Sequence, residues 1–377
     1  MQGSYHMNTI RIDQPTVSVI IVNWNGGPVL VRCVESVLES EYHNFEVIVV
    51  DNASSDGSIE GLINLYGGDP RLHIIRLKKN VGFALANNIG TFHAKGEYLV
   101  FLNNDTIVER NWLKELLQPF LKDPMIAVTQ AKLLSIDGRY IDGAGDYIDR
   151  FGYPMILGHD DVDKGQYDQE REIFSARAAA MMVRVDVFRK VGMFDGTFFA
   201  GYEDVDLSWR IRLACYKVML CPRAVVRHIG GYSVKRVKEL RSAPSKNLLA
   251  LVAKNFEMRN FINSTAMMLL VYVYHILRAA VLRPGELRYC VKALLGSIKT
   301  LKLALRTRHG VQRIRRLRDY EILRSKLVFN GSIFIHLVAA GLLWHIKYKK
   351  LFSSFERFWN TWINEKLGWV YSNVVTG

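Results

Sequence analysis

A chain of 377 residues with 49% hydrophobic content is long enough for a sizeable core plus a second module, since single cores stop growing near ~250–300 residues. Its four cysteines, Cys33, Cys215, Cys221 and Cys290, show neither C-x-x-C spacing nor a dense framework, which argues against a zinc knuckle or a disulfide scaffold and for a reducing compartment. The net charge of +14 is split unevenly: 24 Lys+Arg stand against 29 Asp+Glu in residues 1–230, and 26 against 7 in 231–377, so the excess positive charge lies in the last third.

Met1–Met7 reads as a cloning scar, which places the natural start at Met7 with no signal peptide after it and makes residues 1–14 a leader. Beyond it, four short β-branched runs, 16–22, 45–50, 72–77 and 98–102, alternate with stretches of helical spacing. That βαβα pattern predicts a mostly parallel sheet with helices on both faces. Pro28 marks the start of the first helix and Ser55-Asp56 the cap of the second. Ligands of such sheets bind beyond the carboxyl ends of the strands, and here those ends read Asn23-Trp24-Asn25-Gly26, Asp51-Asn52 and Asn103-Asn104-Asp105.

Each polar group carries a functional and a structural reading. Asp51 and Asn52 offer an acceptor and a donor to a pyrimidine edge or ribose, or they cap a helix. Asn80-Val81-Gly82-Phe83 begins a helix whose first amides favour phosphate, or it is a simple turn. Trp24 and Trp209 suit stacking on a base or sugar, although core packing is the plainer reading for Trp209. Residues 131–175 interrupt the alternation, and Gly143-Ala-Gly145 there is no dinucleotide fingerprint because no clear strand precedes it. This segment reads as an acceptor-side loop or lid. Glu203, Asp204 and Asp206 lie at the head of a helix predicted over 205–216, where mutual repulsion raises one carboxyl's proton affinity and suits it to act as a general base. His228 follows the strand-like 223–227 and precedes glycines that allow close approach to a metal.

Five blocks in order resemble the inverting family 2 glycosyltransferases, and most closely the rhamnosyltransferase-like members. They are Val17-Ser-Val-Ile-Ile-Val-Asn-Trp-Asn-Gly26, Val50-Asp-Asn-Ala-Ser-Ser-Asp-Gly-Ser58, Asn80-Val-Gly-Phe-Ala-Leu-Ala-Asn-Asn-Ile-Gly90, Leu102-Asn-Asn-Asp105 and Gly201-Tyr-Glu-Asp-Val-Asp-Leu-Ser-Trp-Arg210. The resemblance covers roughly residues 16–235 and implies a GT-A fold and transfer of a sugar, rhamnose from dTDP-rhamnose by closest likeness, from a nucleotide-diphosphate donor. It further implies donor contact by Asn23, Asn25, Asp51, Asn52, Asn80, Gly82, Asn103 and Asn104, and catalysis by Asp204 with Glu203 as the rival base. Asp105 and His228 would hold Mg2+ or Mn2+, with Asp105 at the last position of the family's D-x-D motif. Asn103 stands where that motif has its first aspartate, a departure that implies weaker metal affinity.

Residues 236–377 form a second, basic unit. The apolar runs Ser264–Leu277 and Val328–Trp344 both fall short of the ~20 clean apolar residues of a spanning helix. Helices lying in the interface fit better, with Arg313–Arg318 toward anionic headgroups and Trp344, Phe352, Trp359 and Trp362 as anchors. The expected enzyme therefore sits on the cytoplasmic face of the cell membrane, peripheral or monotopic, with a lipid-linked glycan as acceptor and no nucleic-acid partner. A truncation near residue 240 should stay soluble and bind donor. The alternatives are a tail that serves homodimerisation, a non-catalytic membrane scaffold on a decayed glycosyltransferase, and a sugar nucleotidyltransferase.

Overall fold

The computed structural model describes residues 15–230, 243–282 and 284–329. Its first half alternates as expected: β1 (Val17–Asn23), α1 (Pro28–Leu38), β2 (Phe45–Asp51), α2 (Ser58–Tyr66), β3 (Leu72–Arg76), α3 (Phe83–His93) and β4 (Tyr98–Asn103). Then follow β5 (Thr106–Val108), α4 (Trp112–Lys122), β6 (Ile126–Ser135), β7 (Ile141–Gly143), β8 (Asp146–Asp149), β9 (Pro154–Ile156), β10 (Arg171–Glu172) and β11 (Ala180–Arg184). The domain closes with α5 (Val185–Lys190), α6 (Glu203–Leu213) and β12 (Lys217–His228). A ten-stranded sheet runs β10-β12-β6-β11-β4-β1-β2-β3, with β5 added to β12 and β7 to β6. The β1–β2, β1–β4, β2–β3 and β6–β12 pairs are parallel, and β11 enters antiparallel between β4 and β6.

Strands β1 and β2 are buried along their whole length, which is why they read as unbroken apolar runs. One core lies between the sheet and α1 and α4, and a second lies on the opposite face under α3, α5 and α6. Gly90 lets α3 press onto β1, since a Cβ there would stand 2.6 Å from Ile20 Cγ2.

Several expectations shift. Helix α2 begins at Ser58 after a left-handed Gly57, and Asp56 accepts hydrogen bonds from Ser58 N (3.1 Å) and Gly27 N (2.7 Å) from just outside it. Helix α6 begins at Glu203 and ends at Leu213, so the acid pair forms its first turn. The 131–175 segment is not a plain loop: it holds the end of β6 and four further strands, and β7 leads directly into Gly143. Strand β6 escaped the pattern because Thr129, Gln130 and Lys132 are buried along it; Lys132 is paired with Asp163 (2.7 Å) and Asp168 (2.6 Å).

The C-terminal part contributes α7 (Ala243–Asn255), α8 (Met258–Leu282), α9 (Pro284–Ile314), α10 (Asp319–Leu323) and β13 (Val328–Phe329). A third core spans the expected boundary at residue 235, joining Leu249–Val252 and Phe256 to Phe174, Phe198, Val205 and Trp209. The Trp209 ring stands edge-on to Phe174 (5.3 Å) and Phe256 (4.8 Å), the packing role preferred for it. Strand β13 pairs with β8, so the run from Val328 begins as part of a sheet; the rest of it, with Trp344, Phe352, Trp359 and Trp362, lies outside the described residues. Helix α8 extends past the Ser264–Leu277 run on both sides, and its segment Met258–Val281 is long and apolar enough to cross a membrane by length and composition.

Candidate active site

The strand ends meet on one rim because β1, β2 and β4 are in parallel register, with Asn23 beside Asp51 and Val22 beside Asn103. Asn23 is fully buried: its Nδ2 donates to Ser54 Oγ (3.0 Å) and Ser58 Oγ (2.9 Å), and its Oδ1 accepts from Asn104 Nδ2 (2.8 Å). Asn25 holds the facing loop through Ser55 N (2.8 Å), and Asp51 Oδ1 accepts Ser54 N (3.0 Å). Asn52 donates to Asn80 Oδ1 (2.9 Å) and accepts from Val81 N (2.8 Å), while Asn80 Oδ1 also accepts from Gly82 N (2.9 Å). All eight positions expected at the donor share this rim, but the buried carboxamides of Asn23, Asn52 and Asn104 are engaged by neighbours. Their direct work is to shape the loops. Gly82 has φ +87°, and a Cβ there would lie 2.6 Å from Phe199 O, so this turn needs glycine.

Asp105 and His228 come together across the β5–β12 pair, where His228 lies opposite Thr106. His228 Nε2 stands 3.1 Å from Asp105 Oδ1 and 3.2 Å from Asn103 Nδ2, while its Nδ1 is 2.9 Å from Asp142 Oδ2. Burial works against the charged imidazole, but the hydrogen bonds to Asp105 and Asp142 outweigh it and lift His228 to about 9. Burial alone would raise Asp142, yet His228 and then Arg177 hold it below the usual carboxylate range. A carboxylate on Nδ1 that leaves Nε2 aimed at an aspartate is how a metal-binding histidine is oriented, so these side chains fit a divalent cation. Asp105, His228 Nε2 and the Asn103 carboxamide would hold it. Among the described residues no three His, Cys, Asp or Glu close on one point.

The acid pair stands at the head of α6, after Tyr202 in the left-handed region (φ +69°). Asp204 Oδ2 accepts Ala178 N (3.1 Å) and Oδ1 accepts Val205 N (2.8 Å), whereas Glu203 Oε2 is buried without a hydrogen-bond partner among the described residues. Burial raises both carboxyls; the neighbouring Asp204 adds to the rise at Glu203, and the Ala178 amide and Arg177 restrain it at Asp204. Ala179, next to that amide, accepts Asn103 N through its carbonyl (3.1 Å). One strip of backbone, 178–179, thus ties the acid pair to the strand end that leads to Asp105. Asp206 does not share the site: it is fully buried and engaged by Arg210, Lys254 and Asn255.

Three residues were not foreseen. Asp142 orients His228, Asp146 is fully enclosed, and the Arg177 charge acts on Asp142, Asp146 and Asp204 together. Burial pushes Asp146 up to about 7, with Ser175 Oγ on one oxygen (3.0 Å) and no partner among the described residues for the other. The only sequence signals were Asp142 and Asp146 flanking a glycine pair, and one arginine within the apolar run Ile173–Ala180.

Residues 18–192 match the family model described as Glycosyl transferase family 2, and this segment is a glycosyltransferase family 2 domain. The chain is 29% identical over 253 residues to the inactive polypeptide N-acetylgalactosaminyltransferase-like protein 5 of Macaca fascicularis, which covers 63% of this chain and 57% of that one. It is 28% identical over 222 residues to the O-antigen biosynthesis protein RfbC of Myxococcus xanthus, covering 57% of this chain and 17% of that one. It therefore spans less than two thirds of the length of these curated relatives. The crystal structure of GalNAc-T7 with UDP, GalNAc and Mn2+ aligns with a TM-score of 0.55 at 17% identity, over 77% of this chain and 58% of that one, a likeness of fold.

Proposed function

We propose that this chain is an inverting, divalent-metal-dependent glycosyltransferase that moves a sugar from a nucleotide-diphosphate donor to a hydroxyl of a lipid-linked glycan acceptor. The single observation that supports it best is the 178–179 strip, which carries Asp204 on one side and the Asn103–Asp105 strand end on the other. Asp204, or Glu203 beside it, takes the proton from the acceptor hydroxyl; the freed oxygen forms its bond to the anomeric carbon as the bond to the diphosphate breaks, with inversion. Burial raises the proton affinity of the pair, as a base for a weakly acidic hydroxyl requires. A bound divalent cation supplies charge neutralisation of the departing diphosphate. Asp105, His228 and Asn103 are placed to hold that cation, and Asp142 keeps the imidazole turned toward it. The positive end of the α3 dipole favours the phosphates, although the Val81, Gly82 and Phe83 amides at its start are bonded within the protein. Rhamnose from a dTDP donor is the specific reading, carried by the motif resemblance.

The non-catalytic alternative has one specific support, the relative named inactive. A panel of dTDP-, UDP- and GDP-sugars assayed for donor hydrolysis with Mn2+ separates the two. Turnover with one donor class, lost in EDTA and restored by Mn2+, is expected. Turnover indifferent to EDTA overturns the metal dependence, and no turnover with any donor favours the scaffold.

For the membrane, the supporting feature is the outward apolar face of α8, with Ile262, Leu270, Leu277 and Val281 more than half exposed beside the basic α9. Part of the basic cluster is engaged internally: Arg315 bonds Asn255 O and Asp319 (2.9 Å), leaving Arg313, Arg316 and Arg318 outward. Each outward cation near an anionic surface contributes roughly 1 kcal/mol, and apolar insertion adds to it. In liposome flotation the full chain should rise with anionic vesicles at low salt and be released by detergent but not fully by salt. A chain that stays in the dense fraction assigns the helices to homodimerisation.

A further inference from the structure

Helix α7 (Ala243–Asn255) opens the basic C-terminal third, and it reaches the acid pair through charge as well as packing. The Lys254 side chain is 2% exposed, and its Nζ donates to Asp195 Oδ2 (2.6 Å) and Asp206 Oδ2 (2.8 Å) above the Phe198 ring (5.1 Å). Asn255 Nδ2 donates to the other Asp206 oxygen (2.9 Å). Two turns earlier, Asn247 Nδ2 donates to Ala200 O (3.1 Å) and Gly201 O (2.8 Å). The same helix thus grips segment 195–206 at its start, its middle and its end. That segment contains Glu203 and Asp204, and its Phe199 carbonyl accepts Phe83 N at the start of α3 (2.7 Å).

We infer that Lys254 is a positioning residue for the acid pair: by binding Asp195 and Asp206 at once it fixes segment 195–206 and cancels the negative field that these two carboxylates would otherwise place on Glu203 and Asp204. The inference rests on the reading of Glu203 and Asp204 as the base of glycosyl transfer. Buried charges act strongly on one another, and removing one partner leaves the others uncompensated. Of the surrounding charges, Asp206 acts on Glu203, Arg177 before β11 acts on Asp204, and Asp204 acts on Asp146 of β8, while Arg210, Asp195 and Lys254 reach the pair through Asp206, on which all three act. Asp204 also acts on Tyr202, which hydrogen-bonds Tyr153.

The full-length chain decides the matter. In Lys254→Met, turnover should drop about tenfold with donor KM within about threefold, and the acid limb of the kcat–pH profile should move up by about one unit. In the double variant Lys254→Met/Asp195→Asn a negative charge leaves with the positive one, and the limb should return toward its wild-type position. Val252→Ala, an apolar truncation on the same helix, should destabilise without moving the limb. Amide hydrogen exchange over residues 197–206, measured without substrate, should be at least about tenfold faster in Lys254→Met than in Val252→Ala. Faster exchange in a protein whose wild type turns over no donor supports the clamp and overturns the glycosyltransferase reading. A limb unmoved in Lys254→Met, or moved equally by Val252→Ala, overturns the positioning role. Should Lys254→Met not fold, Asp195→Asn asks the question with the opposite sign: the limb should move down, and an unmoved limb overturns the inference.

Discussion

Asp204→Asn lowers turnover by about 10²-fold or more while nucleotide-sugar affinity stays within a few-fold, because the substitution keeps the shape of the side chain and removes its basicity. The geometry allows this separation. Asp204 accepts from the backbone of Ala178 and Val205, while Asn103, one of the expected donor residues, bonds the neighbouring Ala179 carbonyl through its own backbone. Glu203→Gln is the companion measurement: an equal or larger loss there, with Asp204→Asn near wild type, transfers the role of base to Glu203. The pH dependence has a defined sign. A base whose proton affinity is raised loses activity as pH falls toward neutrality, above the range in which an ordinary carboxylate would fail. Stability runs the other way. The folded state holds the Glu203 proton more tightly than the unfolded chain, so the contribution is full below the ordinary value of 4.5 and is lost as pH rises through about 8. A turnover profile flat from pH 5 to 8 would remove the raised pair from the mechanism.

How much of this was legible in sequence depended on whether a residue's partners were local. Asn23, Asp51 and Asn103 could be placed on one rim because each ends a strand buried on both faces, and such strands read as continuous apolar runs. The acidic cluster at the head of α6 was legible because Glu203, Asp204 and Asp206 lie within four positions, although the helix begins two residues earlier than its spacing suggested. Their division of labour was not. Asp206 leaves the site because Lys254, 48 residues away, binds it, and nothing near Asp206 announces that partner. Asp142 and Arg177 acquire their roles only when the sheet brings β7 beside β6 and places Ala178 against α6. Charge counting left the basic last third open to nucleic acid, lipid or solvent, and it could not show that part of it is internal: Arg308, Gln312 and Arg315 donate to carbonyls at the end of α7, and Lys254 is buried against α6.

That shared core reverses the expectation for truncation: a chain ending at residue 240 should fail to give a folded, soluble protein, whereas one ending at 329 should fold and bind donor. Cutting at 240 removes α7 and uncovers Phe198, Val205 and Trp209, which it buries through Leu249, Val252 and Phe256. Each large apolar side chain left exposed costs about 1.5–3 kcal/mol. The cut also takes Lys254 from Asp195 and Asp206, and breaking a buried ion pair costs about 3–5 kcal/mol because the surviving charge stays enclosed. These losses together match or exceed the ~5–15 kcal/mol by which a domain is stable, so the effect is on folding itself and not on affinity. Cutting at 329 keeps α7, its Arg308 and Arg315 contacts and the β13–β8 pair. Soluble yield and a cooperative thermal melt of the two fragments settle the point. A 1–240 fragment that melts cooperatively and binds nucleotide sugar as the full chain does would show that the fold ends near residue 235 and that α7 is an accessory to it.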